Sequence, residues 1–280
     1  MNPLTIFARR FVAGERPQDA IRAGERLAAR GIKATFDKLG EDVNDSAAAR
    51  RATEASRELL QLIPQGLERN ISIKMSSMGQ RISRELCLEN VASILDRARS
   101  VGGFVRLDME GSDLTRDTIE VFQRLRRDYD NVGIVLQAYL HRTPDDVAEA
   151  VRRGDRVRLC KGAYREPPEV ALQDMAAIRR QYLACAHRLL EGGSYPAIAT
   201  HDEALIGDTL AFAGTQGIAA SRFEFQMLYG LRRRRWDELV AAGHNVRIYV
   251  PFGTHWIPYF YRRLRERREN VLFVLRNLFR

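Results

Sequence analysis

From residue 32 onward the chain alternates short apolar, β-branched runs with longer stretches carrying apolar residues at i, i+3, i+4 and i+7. The short runs predict strands at 32–39, 71–76, 104–109, 133–139, 156–160, 197–200, 223–227 and 246–250, and the 3.6-residue period predicts helices at 47–62, 85–100, 114–129, 144–153 and 168–190. Two helix-start signals support this pattern. Asn44-Asp45-Ser46 precedes one helix, and Thr143-Pro144-Asp145-Asp146 places a capping residue before a proline at the first helical position of another. Eight strands alternating with helices over about 250 residues predict an α/β fold of the (β/α)8 barrel type, with its active site at the carboxyl ends of the strands. An open doubly wound sheet is the competing architecture, and no GxGxxG follows the first strand to support it. Residues 1–31 read as a short helical prefix packed on the underside of the barrel, and 32–280 as the barrel itself. No linker, repeat or low-complexity tract marks a further domain.

Composition narrows the class. A chain of 280 residues with 45% hydrophobic positions can bury roughly three quarters of its unfolded surface, which excludes intrinsic disorder. The first twenty residues hold no apolar signal core, and nowhere do about 18 apolar residues run together, so a cytoplasmic protein is expected, at most peripheral to a membrane. Cys87, Cys160 and Cys185 form no CxxC and no metal-ligand spacing. The net charge of +9 would suit an anionic partner, yet acidic residues are spread throughout and no nucleic-acid motif appears. His141, His187, His201, His244 and His255 show no HxH or HExxH, which argues against a metal-dependent hydrolase. Only four of the 45 basic residues are lysines, Lys33, Lys38, Lys74 and Lys161. In so arginine-rich a chain a retained lysine is either a position suited to a compact ammonium or a chance survivor of drift.

The predicted strand ends are polar. They bring Asp37, Glu41, Lys74, Asp108, Glu110, Gln137, Tyr139, Arg158, Lys161 and Tyr164, followed by Thr200, His201, Asp202, Glu224, Gln226, Tyr229, Tyr249 and Thr254. Polar groups inside apolar strands must bond one another or a ligand, and both readings stay open here. On the last predicted helix, Tyr259-Phe260-Tyr261-Arg262-Arg263-Leu264 sets two arginines among aromatic rings, either a solvated basic face or a clamp for a carboxylate or phosphate beside a small ring.

Four segments in order carry a family resemblance: Arg158-Leu159-Cys160-Lys161-Gly162-Ala163-Tyr164, Ala199-Thr200-His201, FEFQMLYG over 223–230 and VRIYVPFGTHWIPYFYRRLRERREN over 246–270. The chain resembles the catalytic domain of proline dehydrogenase. That resemblance implies a distorted (β/α)8 barrel, non-covalent FAD, and oxidation of L-proline to 1-pyrroline-5-carboxylate with a membrane quinone as electron acceptor. It implies that Arg262, Arg263 and Lys74 hold the substrate carboxylate, and that Asp108 hydrogen-bonds Tyr249 and keeps Lys74 in place. Tyr249, Tyr259 and Leu228 would wall the pyrrolidine ring, Tyr164 would lie beside flavin and substrate, and Arg158 near flavin N5. Met109, Gln137, Lys161, Gly162, Ala163, Thr200 and His201 match further flavin contacts, and Glu41 a gate partner of the clamp. A related cyclic amino acid such as 4-hydroxyproline is the alternative substrate.

Cys160 stands where relatives usually carry a branched apolar residue and reads as a small buried hydrophobe. The apolar run over 271–279 is expected to pack on the barrel or to help dock the chain on a membrane, as is the arginine run at 232–235. Those arginines sit near a predicted helix start, where they oppose the macrodipole, so helix stability is not their expected purpose.

Overall fold

Eight parallel strands close on themselves in chain order in the computed structural model, which describes residues 11–40, 42–254 and 256. They are β1 (Lys33–Lys38), β2 (Asn70–Lys74), β3 (Phe104–Asp108), β4 (Val132–Gln137), β5 (Val157–Cys160), β6 (Ala197–Ala199), β7 (Glu224–Leu228) and β8 (Asn245–Phe252). Helix α1 (Pro17–Ala28) precedes the barrel, and seven more separate its strands: α2 (Ser46–Leu62), α3 (Arg84–Ser100), α4 (Ser112–Leu125), α5 (Thr143–Arg153), α6 (Met175–Gly192), α7 (Glu203–Thr215) and α8 (Arg233–Ala241). The (β/α)8 expectation holds and the open sheet falls, because β8 pairs with β1 from Lys33↔Arg247 to Lys38↔Phe252.

Alternation within each strand makes two compartments. Phe36, Ile71, Ile73, Leu107, Leu159, Phe225 and Ile248 point outward against helix residues such as Leu60, Ile94, Phe122, Tyr182 and Trp236, forming one apolar layer around the barrel. The inward positions are largely polar: Thr35, Asp37, Ser72, Lys74, Arg106, Asp108, Gln137, Arg158, Glu224, Gln226, Arg247 and Tyr249. Gly133 makes this possible on β4. It lies level with Arg106, and a side chain there would come within 2.5 Å of the Arg106 guanidinium and 2.6 Å of the Arg156 carbonyl.

The structure corrects several expected details. Helix α1 lies along the outer wall at the β1–β8 seam instead of beneath the barrel. Its Gly24 faces the Phe36 ring, and the segment before it is tied to β8 by the Ala13 N–H to the Pro251 carbonyl at 2.9 Å. Strand β2 ends at Lys74, and residues 76–78 turn as a short 3-10 segment. Helix α6 begins at Met175, not 168, since consecutive prolines Pro167 and Pro168 delay it until Asp174 caps the Ala177 N–H at 2.7 Å. Thr143 does not cap α5. Its hydroxyl donates to the Gln137 carbonyl at 2.6 Å and so ties the helix to the end of β4. Asp45 caps α2 as the sequence suggests. The arginine run also has a structural use, because Arg232 and Arg235 pair with Glu203 and Arg234 and Arg235 with Glu238, joining the starts of α7 and α8. Cys160 is half-buried and packs on the main apolar layer.

Gly133→Ala tests the polar interior as a packing constraint. The added methyl meets backbone and a buried guanidinium, so a loss of about 1–3 kcal/mol is expected, read as a lower midpoint in denaturant unfolding with an unchanged slope.

Candidate active site

The site grows out of strand register. Lys74 lies level with Asp108 across β2 and β3, Asp37 with Ser72, and Leu228 with Tyr249, so parallel pairing alone brings these side chains to one end of the barrel. Lys74 Nζ donates to both Asp37 carboxylate oxygens, at 2.9 and 3.0 Å, with Asp37 1% and Lys74 8% exposed. Burial is the largest influence on Asp37 and raises its pKa, partly offset by Lys74; neighbouring Asp108 raises it further. The Tyr249 hydroxyl donates to Asp108 Oδ2 at 2.6 Å, as the sequence led one to expect. Burial, then the charges of Asp108 and Asp37, push Tyr249 well above the usual tyrosine range, so it remains a donor.

Arg158 is the hub. Its Nη1 donates to Asp108 Oδ1 at 2.7 Å, its Nη2 to Ser72 Oγ at 3.0 Å and its Nε to Gln226 Oε1 at 2.5 Å, and its guanidinium lies 5.3 Å from the centre of the Tyr249 ring. Below it the contacts continue downward. Gln226 Nε2 donates to Glu224 Oε1 at 2.5 Å, Arg247 Nε donates to the same oxygen at 2.9 Å, and Arg247 Nη2 reaches Glu68 at 2.7 Å. Burial alone would raise Glu224, but Arg247, Gln226 and Arg106 together hold its carboxyl down at about 2.

Around the mouth, the loops are fastened by side chains from neighbouring strand ends. Glu110 accepts the Ser76 N–H at 2.9 Å and the Ser76 hydroxyl at 2.6 Å. Gln137 Nε2 donates to the Glu110 carbonyl at 2.9 Å while its Oε1 accepts the Ala163 N–H at 3.3 Å, so one amide spans two loops. Gly162 has φ +124° and lies against the Tyr139 ring with no room for a side chain. Lys161 pairs with Asp202 at 2.5 Å, and Asp202 also accepts from Arg179 at 2.8 Å and from the Ala204 N–H at 3.2 Å at the start of α7. Burial opposes ionisation of Asp202, yet Lys161 and Arg179 bring it down to about 2. Thr200 Oγ1 accepts the Asp202 N–H at 3.1 Å, and His201 Nε2 accepts the Leu228 N–H at 2.9 Å, which puts the ring proton on Nδ1 when the ring is neutral. Met109 is buried just beyond β3, and Tyr164 is half-buried in the loop after β5.

Lys74, Asp108, Arg158, Tyr249 and Leu228 therefore share the carboxyl end of the barrel with Gln137, Lys161, Gly162, Ala163, Thr200 and His201. Glu41, Tyr259, Arg262, Arg263 and the run at 271–279 lie outside the described residues. One expected role moves: Asp108 was expected to keep Lys74 in place, and it is Asp37 that accepts two hydrogen bonds from Lys74, while Asp108 serves Tyr249 and Arg158. Asp37, Glu110, Asp202 and Gln226 were visible as strand-end polar residues but had no role assigned. Glu166, which accepts both the N–H and the hydroxyl of Ser112 at the start of α4, had no such signal, because it sits in a loop without pattern.

A closed parallel barrel whose strand ends gather buried acids, cations and a tyrosine is the architecture of a barrel enzyme. The proline dehydrogenase family profile matches residues 20–276, and the chain belongs to that family. It is 36% identical over 272 residues to proline dehydrogenase 1 of Bacillus subtilis, covering 97% of this chain and 90% of that protein. With the proline dehydrogenase of Deinococcus radiodurans it shares 39% over 280 residues, or 97% and 89% of the two lengths. A crystal structure of proline utilization A from Bdellovibrio bacteriovorus inactivated by N-propargylglycine superposes with a TM-score of 0.87 at 26% identity, covering 95% of this chain. The chain spans 33% of the length of that larger protein.

Acid sensitivity follows from Glu224. A carboxyl held at about 2 against an ordinary value near 4.5 contributes stability above the higher value and loses it as pH falls from about 5 to 2, on the order of 3 kcal/mol. The melting temperature of the wild type is expected to drop through that window. Glu224→Gln should melt lower at neutral pH but show a shallower drop, and parallel profiles would contradict this origin.

Proposed function

We propose that this chain oxidises L-proline to 1-pyrroline-5-carboxylate, delivering a hydride from ring C5 to N5 of a non-covalently bound FAD, with a membrane quinone as final acceptor. The observation that carries the proposal is the Lys74, Asp37, Asp108, Arg158 and Tyr249 cluster at the carboxyl end of a barrel belonging to this family. The donor set fits an anionic, heteroaromatic cofactor. Arg158 and Lys161 bring cationic groups, and Gln137 a side-chain amide, to neighbouring strand ends along β4 and β5, each oriented by protein partners. Arg158 would face the N5 edge, with Met109, Gln137, Lys161, Gly162, Ala163, Thr200 and His201 along the remainder. FAD supplies a two-electron acceptor beside the substrate.

The rest of the chemistry falls to the chain's own residues. Lys74, with Arg262 and Arg263, holds the substrate carboxylate and so fixes which ring carbon meets the cofactor. Asp37 keeps the Lys74 ammonium charged and aimed. Tyr249, Tyr259, Leu228 and Tyr164 wall the ring and exclude water, and Asp108 fixes the rotation of the Tyr249 hydroxyl. The cations that hold the carboxylate disfavour a second positive charge, so the bound amine loses its proton readily and no dedicated base is required. Among the described residues no helix is long and apolar enough to cross a membrane. A peripheral encounter from the cytoplasmic side is the proposed route to the quinone.

An absorbance spectrum from about 300 to 550 nm tests the reading. Two flavin bands that bleach anaerobically on L-proline, and more slowly on 4-hydroxyproline, are expected. A colourless protein that takes up no FAD overturns the proposal, and faster bleaching by 4-hydroxyproline moves it to that substrate.

kcat for L-proline, which reports the bound complex, should rise from neutral to alkaline pH with an apparent pKa below that of free proline; a kcat profile that keeps the free-proline value removes the easy loss of the amine proton, as does a flat kcat/KM.

A further inference from the structure

We propose that Gln226 is a positioning residue for the reaction: it holds Arg158 Nε with an uncharged acceptor, aiming the guanidinium at the mouth while leaving its positive charge undiminished on that edge. This rests on the function proposed above, in which Arg158 faces the cofactor.

The geometry is a vertical chain through the barrel. Arg158 and Arg247 are 6% and 2% exposed, and between them lie Gln226 and Glu224, both buried on β7 two residues apart. Arg158 can only donate, and ionised Glu224 can only accept. A group placed between them must therefore accept at its upper end and donate at its lower end. A primary amide does both, and Gln226 does so at 2.5 Å on each side. Its orientation is fixed by its neighbours, because a flipped amide would set N–H against N–H above and oxygen against oxygen below.

The choice of amide also separates two charges. Glu224 is matched from below by Arg247, which shares the same carboxylate oxygen as Gln226. Were residue 226 a carboxylate, it would neutralise Arg158 from the floor side and confront Glu224 with a second acceptor. Were it apolar, Arg158 Nε would be left buried without its acceptor and the guanidinium free to turn about its remaining bonds to Asp108 and Ser72. Asp108 is shared with Tyr249, so Arg158 meets one carboxylate that is divided between two donors, and two neutral acceptors, Ser72 and Gln226. Its positive charge is thereby kept for electron density arriving at the mouth.

The test exchanges the two side chains. The double variant Glu224→Gln with Gln226→Glu keeps net charge and volume, and the new amide donates upward to the new carboxylate; Arg247 Nε loses the acceptor it shared there, while Arg247 keeps its bonds to Glu68 and the Ala34 carbonyl. The exchange moves the negative charge one hydrogen bond closer to Arg158. The exchanged protein, loaded with FAD, is expected to show a more negative flavin midpoint potential and at least about a tenfold loss in kcat, with KM for L-proline within about twofold of wild type. A folded exchanged protein with wild-type potential and kcat overturns the inference. Should the exchange prevent folding, Gln226→Met carries the test at near-constant volume: the inference requires an altered potential and lower kcat at held KM, and wild-type values overturn it. Wild-type protein is measured alongside. If it takes up no FAD, the functional proposal fails first, and the inference with it.

Discussion

Four cations point into a barrel whose walls exclude water, and their accommodation organises everything else. Lys74, Arg106, Arg158 and Arg247 face the interior against Asp37, Asp108 and Glu224. An isolated ammonium or guanidinium in such a place would cost several kcal/mol after relaxation, so each is met by partners of fixed geometry. Lys74 takes a carboxylate to itself, Arg247 takes two, and Arg158 spreads over a carboxylate, a hydroxyl and an amide. Arg106 has another solution. It donates to the Ile134 and Arg156 carbonyls, in the space that Gly133 leaves, and burial followed by the nearby Arg158 and Arg156 pushes its pKa well down. Apolar residues of similar volume would fill the same space at no loss of stability, and often at a gain. The charges are therefore explained by what happens at the mouth.

Consequences propagate upward from the strands to the loops. Several described loops over the mouth are held by a carboxylate or amide whose own backbone belongs to, or adjoins, the rigid barrel: Glu110 on the turn after β2, Gln137 on the loop after β5, Asp202 on Lys161 and α7. Side chains at strand ends are placed more accurately than side chains on loops, and here they lend that accuracy to the loops. Gly162 is the close approach in this arrangement, its positive φ and the Tyr139 ring together leaving no alternative residue. The segment from Lys161 to Asp174 thus crosses the mouth as a strapped element, pinned again by Glu166 to α4 and by the Leu140–Ala171 bridge.

Much of this was legible in the chain. The strand count, the parallel order and the polar strand ends follow from periods of 2 and 3.6 and from costs of burial that do not depend on tertiary detail. The pairing of Tyr249 with Asp108 followed from the family resemblance and agrees with the hydrogen bond that crosses the barrel between them. What failed to appear depends on three-dimensional closure. Only when β1 meets β2 in register does Asp37 lie opposite Ser72 and reach Lys74, and no spacing along the chain marks that. Thr143 looked like a cap because it precedes a proline, yet the end of β4 offers its hydroxyl a carbonyl that the sequence does not show. Pro167 and Pro168 were the readable warning that the sixth helix starts late, and helical periodicity alone hid it. The four lysines divide instructively. Lys74 and Lys161 each concentrate one point charge on one carboxylate at the mouth, whereas Lys33 bridges Glu68 and the Tyr195 ring at the far end.

The sum of the interior charges bears on the proposed chemistry. Lys74, Arg106, Arg158 and Arg247 are balanced by Asp37, Asp108, Glu224 and Glu68 before the clamp arginines are added. The clamp arginines proposed above bring the excess that a substrate carboxylate answers. The amine of the same substrate would then bring a positive charge with no counter-ion waiting for it, since Asp37 is committed to Lys74 and Asp108 to Tyr249 and Arg158. A site that binds the anion of an amino acid while withholding a partner from its cation favours the neutral amine, the form that gives up a hydride from the adjacent carbon. The same hydrogen bonds that make a charged barrel interior tolerable thus take its carboxylates out of reach of the substrate nitrogen.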